Sequence, residues 1–140
     1  MLAGVCVGTE ISPVAHSDGD VVLHAVVDAL LGAIGAGDIG DHFPNTDPRW
    51  RGAESAAFVR HAMKLVKESG YVVGNADVLV IAERPKLKQF KAEMRARLAE
   101  LLEVGPEQVN IKAGTNEGCD TLGRGEAIAA HATVLLMAKD

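Results

Sequence analysis

The sequence HSDGDVVLHAVVDALLGAI, residues 16–34, guides the interpretation of the whole chain. Its part from Val21 to Ile34 is apolar almost all round, which indicates a helix buried in the core. Asp20 stands just before that helix and is its predicted N-cap. The polar side chains Asp20, His24 and Asp28 recur every four residues, so they share one face of the helix.

The rest of the chain predicts an α/β sandwich. Helices are expected from Ser55, a candidate N-cap, to Ser69, and from Lys88 to Glu103, which carries an apolar stripe. Strands are expected at Leu2–Gly8, Tyr71–Ala82, Val109–Ala113 and Ile128–Met137. Residues 35–52 are rich in Gly, Asp and Pro and predict a long ordered loop. We therefore expect a single domain over residues 1–140, with one mixed β-sheet covered by helices on one face.

Composition restricts the class of protein. The 140 residues are 48% hydrophobic and 24% charged, which is typical of a globular chain. A formal net charge of −5 argues against a nucleic-acid or membrane-surface binder, because both need basic patches. Cys6 and Cys119 lack C-x-x-C spacing and fit two free thiols in a reducing compartment. Met1 to Gly8 carry no basic n-region, so we expect a cytoplasmic protein, or a plastid stromal one in a plant or alga.

The segment around the first helix allows two interpretations. His24, with Asp28 one turn away, fits a metal-bound imidazole oriented by a carboxylate, but it equally fits a buried histidine that is simply hydrogen-bonded. One histidine cannot make a catalytic zinc site, where three protein ligands are expected. His16 and Ser17 precede the helix, where free N–H groups attract phosphates, although a plain capping loop explains them as well.

Four other segments carry polar groups that suit a phosphorylated sugar or nucleotide. The loop from Asp38 to Asp47 is dense in hydrogen-bond acceptors. Pro85-Lys86 follows a predicted strand, and so does Gly114-Thr115-Asn116-Glu117, whose oxygen atoms suit a hard cation such as Mg²⁺. Arg124 lies between two glycines, where its guanidinium can approach an anion. Each segment taken alone also has an ordinary structural explanation.

Together these segments form an ordered series of motifs. They read H-S-D-G-D-x-x-x-H-A, D-A-L-L-G-A, G-D-I-G-x-x-F-P-x-T-D-P, R-P-K, N-x-K-A-x-T-x-E and G-R-G-E. The series resembles the 2-C-methyl-D-erythritol 2,4-cyclodiphosphate synthase family of the non-mevalonate isoprenoid pathway. The resemblance covers nearly the whole chain, from Leu2 to the last predicted strand.

The resemblance implies a phosphorus–oxygen lyase. The family converts 4-diphosphocytidyl-2-C-methyl-D-erythritol 2-phosphate into the cyclic diphosphate and CMP. In this reaction the 2-phosphate attacks the β-phosphorus of the same molecule. It also implies two divalent metals, a zinc-type ion held by the protein and a magnesium- or manganese-type ion on the diphosphate. The implied assembly is a homotrimer with sites between subunits, which binds the CDP-containing substrate and neither nucleic acid nor membrane.

Carried over by position, the resemblance implies roles for single residues. His24 is expected to bind the zinc-type ion, and Glu117 is expected to reach the magnesium-type ion. His16 would neutralise charge on the phosphates beside Ser17, and Thr115 would support the transition state. The expected substrate contacts also include Asp38, Ile39, Gly40, Phe43, Pro44, Asn45, Thr46 and Asp47 for the erythritol part, Ala82, Pro85, Lys86, Ala113 and Gly114 for cytidine, and Asn116 and Arg124.

The sequence departs from the family pattern at several positions, and two of these departures carry predictions. Family members have a first strand with Asp-x-His, whose side chains complete the zinc site, and that motif occurs nowhere in these 140 residues. We expect either that the natural protein starts further upstream or that the chain is a degenerate relative. The latter predicts a catalytically impaired trimeric binder of cytidine nucleotide or isoprenoid diphosphate. Thr121 stands where the family has an aromatic residue, which predicts a wider and more polar central cavity in the trimer.

Overall fold

The computed structural model describes residues 1–7, 20–44, 46–50, 53–83, 86–115, 117, 119 and 128–140. Its helices are α1 (Val21–Ala33), α2 (Ile39–His42), α3 (Ser55–Glu68) and α4 (Lys91–Leu102). Its strands are β1 (Tyr71–Ile81), β2 (Val109–Gly114) and β3 (Ala129–Ala138). Single 3-10 turns lie at Pro48–Trp50, Lys88–Phe90 and Pro106–Gln108. The three long helices and the last three strands lie within a few residues of their predicted positions.

The sheet has the strand order β2-β1-β3 and is mixed. β1 runs parallel to β2, so that Ile81 lies opposite Gly114, and it runs antiparallel to β3. The antiparallel register shifts between Val73 and Asn75, as it does at a β-bulge. Because parallel neighbours need a crossover, α4 carries the chain from the end of β1 back to the start of β2.

The helices cover one face of this sheet and enclose the core. α1 packs against both β3 and α3, and α4 packs against β2. The core side chains of α1 are completely buried, namely Val22, Leu23, Val26, Val27, Leu30 and Leu31. The other face of the sheet carries exposed apolar side chains, since Leu135 is 59% exposed and Met137 is 53% exposed. The predicted fold class, a mixed sheet with helices on one face, is therefore confirmed.

The strand predicted at Leu2–Gly8 is wrong over the described residues 1–7. Leu2 and Val5 form only an isolated bridge, and the chain reverses between them with Ala3 and Gly4 in the left-handed region, at φ 51° and 76°. The physical reason is Asp20, whose carboxylate accepts the N–H groups of Ala3 at 3.0 Å and Gly4 at 2.8 Å. A buried carboxylate needs such donors, and they fix a tight turn where hydrophobicity alone predicts a strand.

Asp20 is also the N-cap of α1, as predicted, because it accepts the N–H of Leu23 at 3.0 Å. The N-cap predicted at Ser55 is wrong. Glu54 occupies that position without a capping side chain, and Ser55 is the first residue of α3. The Ser55 hydroxyl lies instead 2.9 Å from His24 Nε2, so a tertiary contact takes the place of a local one.

The segment 35–52, predicted as irregular, contains α2 and the 3-10 turn at Pro48–Trp50. Asp38 and Asp41 form a capping box that starts α2, each carboxylate accepting the backbone N–H of the other residue. The acceptors that made this segment look like a loop therefore organise a short helix. No helix within the described ranges is both long and apolar enough to cross a membrane.

Candidate active site

A cavity of about 330 Å³ lies at the carboxyl ends of β1 and β2. Ala82 continues from β1 and donates its N–H to the carbonyl of Gly114 at 3.0 Å, which holds the two strand ends together. The crevice beyond the carboxyl ends of parallel strands is a common ligand site. The lining residues are Ala82, Lys86, Leu87, Lys88, Lys91, Ala113, Gly114 and Thr115.

Five of these residues were predicted from the sequence to contact the substrate, namely Ala82, Lys86, Ala113, Gly114 and Thr115. Lys86 and the pair Gly114-Thr115 are far apart in the sequence, and the parallel pairing of β1 and β2 brings them to one cavity. Ala82, Ala113 and Gly114 give the cavity small walls at the strand ends, which suit a flat ring. The substrate-binding role of these residues stays a prediction.

The sequence reasoning missed Leu87, Lys88 and Lys91. The buried Leu87, 5% exposed, lines the cavity with an apolar side chain, and the 3-10 turn at Lys88–Phe90 leads into α4 so that both lysines face the same space. A partial signal was present in the spacing of the lysines at positions 86, 88 and 91. Lys88 and Lys91 are three residues apart and share a face of the predicted helix, but Lys86 precedes that helix, so the spacing alone does not indicate that all three share one surface.

Thr115 and Glu117 stay close after β2 ends. The N–H of Glu117 donates to the Thr115 hydroxyl at 3.4 Å, and Glu117 has a left-handed backbone with φ 51°. Glu117 is exposed and does not line the cavity. Glu117 is predicted to contact a metal ion on the diphosphate of the substrate. That contact therefore requires the diphosphate to extend out of the cavity.

His24 lies away from the described part of this cavity, on the buried helix α1. Its Nε2 is 2.9 Å from the hydroxyl of Ser55, and its ring lies 5.9 Å from that of Phe58. Asp28 was one candidate to orient His24, but its carboxylate accepts the N–H of Ile39 at 2.7 Å and so holds the start of α2. Among the described residues, no three His, Cys, Asp or Glu side chains are grouped to hold a metal ion.

The predicted erythritol-binding residues lie on α2 and the turn that follows. Asp38, Ile39 and Gly40 form its start, and Asp47 N–H donates to the carbonyl of Pro44 at 3.0 Å beside Thr46. The carboxylate of Asp47 also pairs with the exposed guanidinium of Arg49 at 2.7 Å. The segment is therefore ordered by its own hydrogen bonds, with most acceptors aimed at its backbone.

An aromatic cluster fastens this segment to α3. Phe43 is 5% exposed and lies 4.4 Å from the ring of Phe58 and 4.7 Å from that of Trp50. His61 adds a ring at 5.2 Å from Phe43, and His42 lies 6.0 Å from His61. Burial lowers the pKa of His61 below its ordinary value, and His42 lowers that pKa further. The cluster therefore favours a neutral His61.

The two groups of predicted substrate contacts do not share one cavity in the described part of a single chain. No described residue of the segment 38–47 lines the cavity at the ends of β1 and β2. His16, Ser17, Asn45, Pro85, Asn116, Thr121 and Arg124 lie outside the described residues. Their predicted roles stay predictions.

Comparison with known proteins gives the family. The model of the YgbB family matches residues 1–137. The chain is 54% identical over 125 residues to the chloroplastic 2-C-methyl-D-erythritol 2,4-cyclodiphosphate synthase of Oryza sativa subsp. japonica, covering 89% of the chain and 56% of that relative. It is 53% identical over 136 residues to the synthase of the same name from Xylella fastidiosa, covering 97% of the chain and 77% of that relative.

A solved structure described as 2C-methyl-D-erythritol-2,4-cyclodiphosphate synthase in a CDP-bound form has the same fold. It superposes with a TM-score of 0.88 at 38% identity, over 98% of this chain and 89% of that one. The chain thus spans only about half the length of its rice relative, although it spans most of the bacterial one. The chain belongs to the YgbB family, as the family model over residues 1–137 and its identity to these 2-C-methyl-D-erythritol 2,4-cyclodiphosphate synthases show.

Proposed function

We propose that the protein converts 4-diphosphocytidyl-2-C-methyl-D-erythritol 2-phosphate into 2-C-methyl-D-erythritol 2,4-cyclodiphosphate and CMP. One observation carries the proposal beyond family membership. The cavity at the ends of β1 and β2 collects the residues that the motif series assigns to the nucleotide, and it combines small apolar walls with lysines. A nucleoside diphosphate has the matching parts, a flat base and a polyanionic tail. The CDP-bound relative supports this ligand class.

The reaction asks little covalent chemistry of the protein. An oxygen of the 2-phosphate forms a bond to the β-phosphorus, and the bond from that phosphorus to the bridging oxygen breaks. CMP leaves with the electron pair, so atoms and charge balance without an added proton or co-reactant. Catalysis then consists of folding the substrate back on itself and neutralising its phosphates, and orientation supplies roughly 7–11 kcal/mol at best.

The protein groups divide this work between them. Ala82, Ala113 and Gly114 hold the cytidine, Lys86 at the cavity contributes positive charge, and the Thr115 hydroxyl donates to an oxygen of the reacting phosphates. The segment 38–47 holds the erythritol part, whereas His16 and Ser17 contact the phosphates. Because the segment 38–47 and the cavity are separate within one chain, the site forms between subunits.

A homotrimer fits this requirement. The uncovered face of the sheet carries the exposed side chains of Leu135 and Met137. Val72, which is 37% exposed, belongs to the same apolar surface. Exposed apolar area on a sheet face usually marks an interface. Light scattering is expected to give the mass of three chains, and a monomer mass would contradict sites between subunits. A cytoplasmic or plastid location completes the proposal.

The metal part of the proposal rests on the family resemblance. His24 lies against Ser55, and the described residues offer no group of three donors, so they do not by themselves make a zinc-type site. A bound divalent ion would supply charge neutralisation at the phosphates, with His24 and Glu117 as one donor each. Removing divalent ions with a chelator is expected to abolish CMP release, and adding Mg²⁺ with Zn²⁺ is expected to restore it.

The direct test is CMP release from the CDP substrate, measured by chromatography on the protein at its full natural length with Mg²⁺ and Zn²⁺ present. Thr115→Val is expected to lower kcat about a hundredfold, the usual loss for one donor to a developing charge. Thr115→Ser keeps the hydroxyl and is the matched control. If the wild type binds CDP, seen as a rise in melting temperature, but releases no CMP, the alternative of a non-catalytic binder replaces this proposal.

A further inference from the structure

Three lysines surround the candidate nucleotide cavity, and the motif series explains only one of them. Lys86 belongs to the family motif, whereas Lys88 lies in the following 3-10 turn and Lys91 is the first residue of α4. All three line the cavity. No carboxylate lines it among the described residues.

Five of the eight other cations among the described residues form ion pairs, whereas Arg60, Arg95 and Lys139, like the three lysines at the cavity, form none there. Arg49, Lys64, Lys67, Arg97 and Lys112 each lie within 4.0 Å of a carboxylate oxygen. No ion pair within the described residues involves Lys86, Lys88 or Lys91, although the chain carries a net charge of −5. Three like charges within six residues repel one another, and an anionic ligand in the cavity would relieve that repulsion.

We propose that Lys88 and Lys91 form, with Lys86, a cationic rim that captures the polyanionic nucleotide and sets its affinity for the cavity. This inference rests on the proposed function and deepens it. A concave site lined by one sign of charge raises the local concentration of an oppositely charged ligand and its association rate. Lys88 and Lys91 therefore act on KM and on its salt dependence, and leave kcat unchanged. They are positioning residues and make no contact with the reacting atoms.

The test is the double variant Lys88→Gln plus Lys91→Gln, with CMP release measured at about 0.02 M and about 0.5 M salt. The expected result is a rise in KM of about tenfold at low salt with kcat unchanged, and a much smaller rise at high salt. A matched control removes the same charge elsewhere, with Lys64→Gln plus Lys139→Gln. Lys139 lies at the opposite end of β1 from the cavity, where its N–H donates to the carbonyl of Gly70.

Titration of CDP by calorimetry gives a second readout that does not need turnover. If the wild type binds CDP without releasing CMP, the proposed reaction fails, but a weaker and less salt-dependent CDP affinity in the double variant still supports the rim. If the wild type and the double variant bind CDP with equal affinity and equal salt dependence, the proposed cationic rim is overturned. A changed molecular mass of the double variant would also overturn it, because the lysines would then serve subunit contacts.

Discussion

The cavity at the ends of β1 and β2 and the segment 38–47 differ in how their polar groups are used. In the segment, Asp38 and Asp41 bond to each other's backbone and Asp47 holds Arg49. Around the cavity, the ammonium groups of the lysines enter no ion pair within the described residues. The described aspartates of the segment bond to its own backbone or to the nearby Arg49, whereas the lysines at the cavity lack ion-pair partners among the described residues.

This difference indicates two ways of preparing a binding surface. The segment 38–47 is fixed before any ligand arrives, because a capping box and the buried ring of Phe43 hold it in place. Such rigidity reduces the entropy lost on binding. The cavity instead presents three lysines, which on our proposal attract an anionic ligand. We therefore expect substitutions in the segment to change stability first, and substitutions at the cavity to change ligand affinity first.

The largest effect is expected from Phe43→Ala. The side chain is 5% exposed and stacks against Phe58 and Trp50, so its removal leaves a void in the aromatic cluster. The free energy of unfolding should fall by about 3–5 kcal/mol, measured by urea denaturation. Phe43→Leu keeps much of the volume and should lose clearly less. Equal losses in the two variants would show that the segment does not depend on this packing.

The cavity should respond in the opposite way to Ala113→Leu. Ala113 is exposed and lines the cavity, so the larger side chain fills ligand space without disturbing the core. CDP affinity is expected to fall at least about tenfold, or ~1.4 kcal/mol, by calorimetry, while the melting temperature stays unchanged. Ala96→Leu, the same change at an exposed position of α4 that does not line the cavity, is the matched control. Unchanged CDP affinity in Ala113→Leu would place the nucleotide elsewhere.

The sequence was sufficient for elements whose local pattern and tertiary environment agree. α1 is apolar almost all round and buries six of its 13 residues, and the alternation in β1 matches a strand with one covered face. The prediction failed at Leu2–Gly8 because the turn depends on Asp20, a residue well outside that segment. Ser55 failed as an N-cap for the same reason, since its hydroxyl pairs with His24 on another helix.

The candidate site was predictable only where motifs encode it. Lys86, Ala113 and Thr115 belong to the quoted motifs and meet at one cavity. Lys88 and Lys91 do not, and their shared surface depends on how the 3-10 turn joins α4. Pattern reasoning works with periods of two and 3.6 residues, so side chains that converge through an irregular turn escape it.

A smaller effect on stability is expected from Asp38→Ala. This substitution removes the carboxylate that accepts the N–H of Asp41 at 3.0 Å and starts α2. The loss of an N-cap costs about 1 kcal/mol, measured by thermal denaturation. Asp38→Ser retains a capping oxygen and should recover most of the stability. If Asp38→Ser is as unstable as Asp38→Ala, the aspartate acts through its charge and not as a cap.

The smallest effect is a pH dependence at His61, which belongs to the cluster that fastens the segment 38–47. Burial and His42 lower the pKa of His61 in the folded protein below the ordinary value of 6.5, so the unfolded chain binds the proton more readily. Stability from this group is therefore fully present above pH 6.5 and is lost as the pH falls through that value toward the folded pKa.

His61→Phe keeps a ring in the cluster but cannot take up a proton. Its urea denaturation midpoint should fall less than that of the wild type when the pH is lowered from 7.5 to about 5. Lys139→Gln removes a charge that does not contribute to the lowered pKa of His61, so this control should keep the wild-type pH dependence. Parallel pH curves for the wild type and His61→Phe would mean that the segment is held by the aromatic rings alone, with no contribution from the protonation state of His61.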